Sequence, residues 1–197
     1  MTSRKPDKKS LRKQAREARE ALTPAYRQFA VRQALRHALR AGLFLKGRRW
    51  SFYLPVGGEF DALPLLNQAL HMGKDCYLPI TAHRIAQPLR FAKLDGRHEL
   101  THNRYGIMEP HTRQLMNARW IDVMIMPLVG FDRAGRRLGM GGGYYDATLA
   151  YLSSRKRWHK PLLVGVAYAC QELKEVPAEP WDVRLDMILT EDGLIRF

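Results

Sequence analysis

A chain of 197 residues, 46% of them hydrophobic, can bury the core of one domain and is too short for two full domains, so we expect one domain over residues 1–197. No stretch approaches the ~18 consecutive apolar residues of a membrane span, and the charged N-terminus lacks the apolar segment of a secretory signal, which predicts a cytoplasmic protein without a membrane partner. The net charge of +14 raises nucleic acid as a partner, but residues 1–50 alone carry +12 of it.

The two cysteines, Cys76 and Cys170, are far apart and lack CxxC spacing. This spacing disfavours a disulfide scaffold and a cysteine-ligated zinc site, and we expect both to be buried, reduced thiols. Residues 1–7 are expected to form a flexible basic tail.

Two helices are predicted to open the chain. Residues 8–21 are nearly all good helix formers and give a basic amphipathic helix. Thr23 and Pro24 supply the N-cap and first-turn proline of a second helix, which ends at Gly42. The predicted apolar faces consist of Leu11, Ala15, Ala18 and Leu22 in the first helix and of Val31, Leu35, Ala38 and Leu39 in the second.

Apolar runs and helical patterns then alternate along the chain. Strands are predicted at residues 50–55, 76–79, 123–131, 162–168 and 187–190, with a weaker strand at 89–93, and helices at about 62–72 and 144–152. The run 123–131 is continuously apolar, as is typical of a strand buried on both faces of a parallel sheet. The pattern predicts a three-layer α/β fold with a mainly parallel sheet, preceded by two N-terminal helices.

A glycine run follows the apolar segment 123–131. In RLGMGGGYYD, residues 137–146, four glycines occupy five positions, which costs stability unless the bare backbone has a use. Backbone N–H groups of such a loop, together with the start of a helix, can hold phosphate. The run lacks the Lys-Ser/Thr ending of a P-loop and the GxGxxG spacing of dinucleotide domains. Asp146, at its end, is a candidate Mg²⁺ ligand or a first-turn carboxylate facing the helix dipole.

Three further patterns have competing interpretations. The string HELTH, residues 98–102, matches the HExxH motif of zinc hydrolases, but neighbouring Gly96, Asn103 and Gly106 leave no room for the long helix that the motif needs. The basic face of the first helix is a solvated surface, a nucleic-acid surface or a source of cations for bound phosphate. Asp182 precedes an apolar strand beside Trp181, which either stacks on a planar ring or is buried at the sheet end.

Five segments carry a family resemblance. KKSLR (8–12), FYLPVGGEFD (52–61), NRYGIMEP (103–110), DVMIMPLVGFDRAGRRLGMGGGYYD (122–146) and PWDVRLD (180–186) resemble the 5-formyltetrahydrofolate cyclo-ligase family, nearly end to end. The resemblance implies a Rossmann-like α/β/α domain. It also implies an ATP- and Mg²⁺-dependent closure of 5-formyltetrahydrofolate to 5,10-methenyltetrahydrofolate, with release of ADP and phosphate. We expect a monomer, and no nucleic-acid partner, because the aromatic residues are not interleaved with the basic ones.

The resemblance also assigns roles residue by residue. Arg12, Tyr144 and Asp146 are expected to be catalytic, Asp146 and Asp182 to hold Mg²⁺, and Leu54 and Glu59 to contact the pterin. Because Met140 and Gly142 are neutral where some relatives carry a basic residue, the phosphate charge must be met by Lys8, Arg12, Arg136 or Arg137. The expected ATP-binding residues are Lys8, Lys9, Ser10, Leu11, Arg12, Arg137, Leu138, Gly139, Met140, Gly141, Gly142, Gly143, Tyr144 and Tyr145, and Met140, Gly141, Gly142, Gly143 and Tyr144 are also expected to face the folate.

Overall fold

A computed structural model describes residues 7–80, 87–96, 99–103, 106–152 and 161–197. The four α-helices of these ranges are α1 (Lys8–Glu20), α2 (Pro24–Arg40), α3 (Leu63–His71) and α4 (Tyr144–Leu149). The strands are β1 (Arg49–Ser51), β2 (Asp75–Ile80), β3 (Arg90–Lys93), β4 (Leu100–His102), β5 (Met108–Pro110), β6 (Leu115–Met116), β7 (Val123–Pro127), β8 (Gly130–Phe131), β9 (Arg137–Leu138), β10 (Leu162–Val166), β11 (Met187–Thr190) and β12 (Gly193–Arg196).

The main sheet has the strand order β12-β11-β10-β7-β1-β2-β3-β6. Its five central strands, from β11 to β2, are parallel, and the outer strands β12, β3 and β6 pair antiparallel. The chain therefore has the expected mainly parallel sheet, with antiparallel edges that the sequence did not indicate. None of the helices in the described ranges is both long and apolar enough to cross a membrane.

Alternating side chains of the parallel strands build two cores. Along β7, Val123 and Ile125 join α2 and α3 on one face, whereas Met124 and Met126 pack with Leu149 of α4 on the other. This alternation follows from the two-residue repeat of a strand, and it explains why the run is apolar throughout. The three-layer architecture is thereby confirmed.

The first helix packs outside these layers. Leu11 and Ala15 of α1 join Val129, Leu138, Leu173 and Val176 in a separate apolar cluster, which we call the anchor cluster. The predicted stripe is only partly right, because Ala18 and Leu22 are half-buried while Arg19 is 3% exposed. On α2, Leu39 was expected on the apolar face but is exposed.

Several expected boundaries change. The run 123–131 is not one strand, because β7 ends at Pro127 and β8 pairs with β9 in a separate hairpin. The turn of that hairpin is held by Asp132, whose carboxylate accepts hydrogen bonds from Ala134 N and Arg136 N. The strand expected at 50–55 ends at Ser51, and the helix expected at 144–152 becomes a 3₁₀ turn after Leu149.

Two smaller expectations have different outcomes. Cys76 is buried as predicted, and burial raises the pKa of its thiol to about 12, but Cys170 is exposed. Of the predicted tail, residues 1–6 lie outside the described residues, and Asp7 is the N-cap of α1.

Candidate active site

A cavity of about 690 Å³ opens at the carboxyl edge of the parallel strands. Tyr53 and Leu54 follow β1, Leu78 lies near the end of β2, and Pro127 ends β7; all four line the cavity. In the sheet, β2 lies on one side of β1 and β7 lies on the other side. The strand order therefore reverses between β1 and β7, and the cavity lies at this point. Open α/β sheets bind their ligands at this place.

The glycine run forms one wall of this cavity. Gly141 and Gly143 have φ values of 104° and 67°, which side chains with a Cβ rarely adopt. A Cβ at Gly142 would lie 3.0 Å from the ring of Tyr144. Backbone geometry and the packed ring, and not flexibility alone, therefore require glycine at these positions.

Cations of α1 reach this glycine wall. Arg12 Nε donates to Gly139 O at 2.8 Å, and the Arg12 guanidinium carbon would lie 3.6 Å from a Cβ placed on Gly141. Lys8, one turn earlier, also lines the cavity, and Arg16 Nη2 lies 3.5 Å from Met140 Sδ. The spacing of four residues places these cations on one face of the helix, directed at the loop.

Two aspartates also line the cavity, and the carboxylate of each is paired with a cation. Arg137 Nη2 donates to Asp146 Oδ1 at 2.5 Å, and Lys8 Nζ to Asp182 Oδ2 at 3.0 Å. The backbone N–H of Val183 is 3.5 Å from Asp146 Oδ1, which brings the segment bearing Asp182 beside Asp146. Across the part of the chain that the structure describes, no group of three or more His, Cys, Asp or Glu residues could hold a metal.

Glu59 lies at another part of the wall. It ends a tight turn in which Glu59 N donates to Val56 O at 3.1 Å and Val56 N donates back to Glu59 Oε2 at 3.2 Å. Burial raises the pKa of the Glu59 carboxyl, and the Val56 N–H and the charge of Arg19 partly offset this rise. Burial, with the nearby carboxylate of Glu59, also raises the pKa values of Tyr53 and Tyr145, so both tyrosines keep neutral hydroxyls.

The structure brings together most of the residues expected from the resemblance. Leu54, Glu59, Lys8, Arg12, Asp182 and the whole segment from Arg137 to Asp146 line the cavity. Lys9, Ser10 and Leu11 do not line it, since Lys9 and Ser10 are exposed and Leu11 belongs to the anchor cluster. Arg136 also lies elsewhere, where its guanidinium contacts Glu175 at 3.0 Å and Asp132 at 3.6 Å. Three of the four candidate phosphate cations thus remain: Lys8, Arg12 and Arg137.

The apolar wall was missed by the sequence reasoning. Its residues come from strand ends and from loops that are distant in sequence, and they carry no chemical signature. The signal available was position, because residues directly after parallel strands face the carboxyl edge. The additional lining residues are Tyr53, Val56, Leu78, Pro79, Leu89, Ile107, Met108 and Pro127.

Of the two alternatives for Trp181, stacking on a planar ring or burial at the sheet end, the structure excludes burial. The residue is 66% exposed and lies at the cavity wall beside Asp182. Its indole face is therefore accessible to a ligand. Asp186, by contrast, accepts a hydrogen bond from Leu163 N at 2.7 Å and joins two strands of the sheet.

The competing interpretations lose support. Leu100–His102 is a strand paired with β5, so the HExxH string lacks the helix that would place its imidazoles on one face; His98 itself lies outside the described residues. The basic face of α1 contributes Lys8 and Arg12 to the cavity and buries Arg19. These contacts favour the third interpretation, in which the helix supplies cations to a bound phosphate.

Comparison with known proteins identifies the family of the chain. The family model described as the 5-formyltetrahydrofolate cyclo-ligase family matches residues 4–191. The 5-formyltetrahydrofolate cyclo-ligases of Escherichia coli (strain K12) and Haemophilus influenzae are 36% and 31% identical to the chain, covering 89% and 92% of it and 95% and 96% of their own lengths. The NMR structure of Aquifex aeolicus 5,10-methenyltetrahydrofolate synthetase matches with a TM-score of 0.79 at 30% identity, over 96% of this chain and 92% of that one. The chain is an enzyme that belongs to the 5-formyltetrahydrofolate cyclo-ligase family.

Proposed function

We propose that the enzyme closes 5-formyltetrahydrofolate to 5,10-methenyltetrahydrofolate in a reaction that consumes ATP, requires Mg²⁺ and releases ADP and phosphate. One observation carries the proposal. The lining of a single cavity combines a charged part, made of a glycine loop, two cations of α1 and two aspartates, with a second part made of the half-buried carboxylate of Glu59 and an apolar wall. This division suits one highly charged ligand and one flat, largely apolar ligand that meet in the same cavity.

The chemistry explains why a phosphoryl donor is needed. A formyl group on nitrogen is an amide, so its carbon is a poor electrophile and its oxygen is a poor leaving group. Transfer of the γ-phosphoryl group of ATP to the formyl oxygen creates a C–O–P linkage and ADP. The N10 amine then attacks the formyl carbon and loses its proton, the C–O bond breaks and inorganic phosphate departs. The protein's part in such a reaction is to position the reactants and to neutralise phosphate charge.

In the charged part of the cavity, which we call the phosphate end, the glycine loop and α1 are proposed to neutralise the phosphate charge. Backbone N–H groups of the loop from Gly139 to Gly143 are accessible to phosphate oxygens, because every residue of this loop except Met140 is a glycine and two of the glycines hold left-handed φ values. Arg12, Lys8 and Arg137 supply the positive charge. Arg12, whose guanidinium lies against Gly139 and Gly141, is the cation best placed to act on the transferred group.

The aspartates fit Mg²⁺ as a partner of the phosphates. Asp146 and Asp182 offer carboxylate oxygens beside the glycine loop, and Mg²⁺ in phosphoryl-transfer sites takes one or two carboxylates with phosphate oxygens and water. The absence of a larger acidic cluster in the described ranges agrees with a metal that needs the nucleotide to complete its ligands. When bound, the metal supplies charge neutralisation for the phosphates.

At the folate end, Glu59 is proposed to accept hydrogen bonds from pterin ring nitrogens, and Leu54 to pack on the ring. The exposed face of Trp181 and the apolar residues Ile107 and Met108 extend this surface. Tyr144, whose ring packs over Gly142, also lines the cavity and is proposed to contact both substrates.

A spectrophotometric assay for the methenyl product tests the proposal. The complete reaction, with ATP and Mg²⁺, should form product and release one phosphate for each product molecule. Omission of ATP, chelation of Mg²⁺ with EDTA, or replacement of ATP by a non-hydrolysable analogue should each abolish turnover. Product formation at an unchanged rate without ATP would contradict the mechanism, and no product in the complete reaction would contradict the assigned activity.

We also propose that the chain is a single domain that acts as a monomer in the cytoplasm, with no nucleic-acid partner. Light scattering of the purified protein would check the oligomeric state. Competition of duplex DNA binding by ATP and folate at moderate salt would check the exclusion of nucleic acid, because unspecific binding depends steeply on salt.

A further inference from the structure

Arg19 of α1 is a charged side chain that the proposed mechanism does not use. It is 3% exposed and does not line the cavity. Among the described residues, its guanidinium makes one hydrogen bond, from Nη2 to Gly57 O at 2.7 Å, while its buried Nε and Nη1 atoms have no hydrogen-bond partner there. A buried guanidinium with two unmatched donors stabilises a fold poorly, so its presence calls for another explanation.

The carbonyl that Arg19 holds belongs to the turn that presents Glu59. Gly57 and Gly58, at the centre of this turn, have φ values of 54° and 75°, and the Val56 O to Glu59 N hydrogen bond closes it. Two left-handed residues inside a closed four-residue turn correspond to type I′ geometry. On its outer side, Arg27 Nη1 donates to Gly58 O at 2.9 Å and Arg27 Nη2 donates to Arg19 O at 2.6 Å. Two guanidiniums therefore bind the carbonyls of this turn.

The charge of Arg19 also acts on Glu59. The half-buried Glu59 carboxylate lies near enough to Tyr53 and Tyr145 to raise the pKa values of both hydroxyls, and it accepts a hydrogen bond from Val56 N. Arg19 is the cation that lowers the carboxyl's pKa against the effect of burial. Three other charged residues, Arg27, Arg32 and Asp61, line a neighbouring cavity that Glu59 shares.

We infer that Arg19 is a positioning residue for the folate substrate: it holds the 56–59 turn through Gly57 O and thereby keeps the Glu59 side chain directed into the cavity. The inference rests on the proposed function, in which Glu59 binds the pterin. It gives α1 two tasks, since Lys8 and Arg12 at its start serve the phosphates and Arg19 at its end serves the folate site.

The Arg19→Met variant tests this role. Methionine has a similar length and no charge, and replacement of a buried ion by an apolar side chain of similar size is often tolerated by the fold. We expect the KM for 5-formyltetrahydrofolate to rise on the order of tenfold, because a charge-assisted contact to the turn is lost. The KM for ATP should stay within twofold of wild type. Lys13→Met, at an exposed position of the same helix, is the matched control and should change neither constant.

A pH profile separates this role from a merely structural one. Glu59 binds the pterin in its ionised form, so the KM for folate rises as the pH falls through the pKa of Glu59 in the free enzyme. Loss of the Arg19 charge raises that pKa further, so in Arg19→Met the rise should begin at a higher pH than in wild type. The raised pKa values of Tyr53 and Tyr145 keep both hydroxyls neutral throughout, so these two groups do not change the profile.

The outcomes distinguish the inference from the proposed function. No methenyl product from wild type, or a normal KM for folate in Glu59→Gln, would overturn the function or the role of Glu59 itself. An impaired Glu59→Gln together with a folded Arg19→Met of unchanged folate KM and pH profile would overturn the inference alone. If Arg19→Met does not fold, Arg19→Lys decides: it should raise the folate KM severalfold with an unshifted pH profile, and a change confined to kcat or to the KM for ATP would refute the role.

Discussion

Replacement of Arg12 by alanine perturbs the phosphate end of the cavity most directly. The Arg12 guanidinium donates to Gly139 O at 2.8 Å and lies against Gly141, where a phosphate held by the loop would meet it. Removal of one preorganised donor to developing charge costs about 10²–10³ in kcat in measured enzymes. Because Arg12 is half-buried and other cations lie nearby, we expect the lower part of this range, on the order of a hundredfold and at least tenfold.

The Arg12→Ala change should have little effect on the fold. One hydrogen bond to a half-buried carbonyl is lost, worth about 1 kcal/mol, which corresponds to a Tm decrease of roughly 2–4 °C for a chain of this size. The assay is methenyl formation at saturating ATP and folate, accompanied by thermal unfolding followed by circular dichroism. Lys13→Ala on the same helix, with a side chain 78% exposed and paired with Glu17, is the control and should retain full activity. A folded Arg12→Ala enzyme with kcat within threefold of wild type would refute the assignment.

Three further predictions concern the glycine loop, the aspartate at its end and the zinc-hydrolase interpretation. Asp146→Ala should lower turnover tenfold or more, but it also leaves the buried guanidinium of Arg137 without its carboxylate partner. Asp146→Asn keeps the size of the side chain and therefore separates a loss of activity from a loss of stability. Normal turnover in both variants would contradict a role for Asp146 in the site. Gly141→Ala should raise the KM for ATP, because alanine is strained at a φ of 104°. Gly139→Ala should raise it less, because the added Cβ would lie at an ordinary contact distance of 3.5 Å from Arg137 Nη1. Equal effects of the two variants on the KM for ATP would contradict this reasoning. His102→Ala should leave activity and metal content unchanged, since His102 lies exposed on a strand; loss of stoichiometric zinc would revive the hydrolase interpretation.

The parallel core could be predicted from sequence because its physics is local. Each inner strand buries both faces, so a continuous apolar run such as residues 162–166 identifies it without knowledge of its neighbours. The short outer strands carry no such signal. Leu115–Met116 and Gly193–Arg196 are two and four residues long and half-buried or exposed, and only their antiparallel pairing with β3 and β11 defines them.

The part of the candidate site that depends on unusual residue types could be predicted from the sequence. The part that is formed by tertiary packing could not. The glycine loop, its aspartate and the basic first helix could be found in the sequence, because glycine clusters and charge runs are costly without a use. The burial of Arg19 could not be predicted, since an arginine in a basic amphipathic helix is expected in solvent. Ile107 and Met108 reach the wall only through the tertiary fold, which brings the β5 segment to the end of β2.

The anchor cluster has a consequence beyond holding a helix in place. Leu138 precedes the glycine loop directly and Leu11 precedes Arg12, and both leucines belong to this cluster of six apolar side chains, so the cluster anchors both parts of the proposed phosphate site. Leu173 and Val176, which do not line the cavity, thereby help to set the spacing between Arg12 and the loop. The geometry of the proposed phosphate site therefore depends in part on hydrophobic packing, and we expect truncation of Leu173 or Val176 to lower turnover as well as stability.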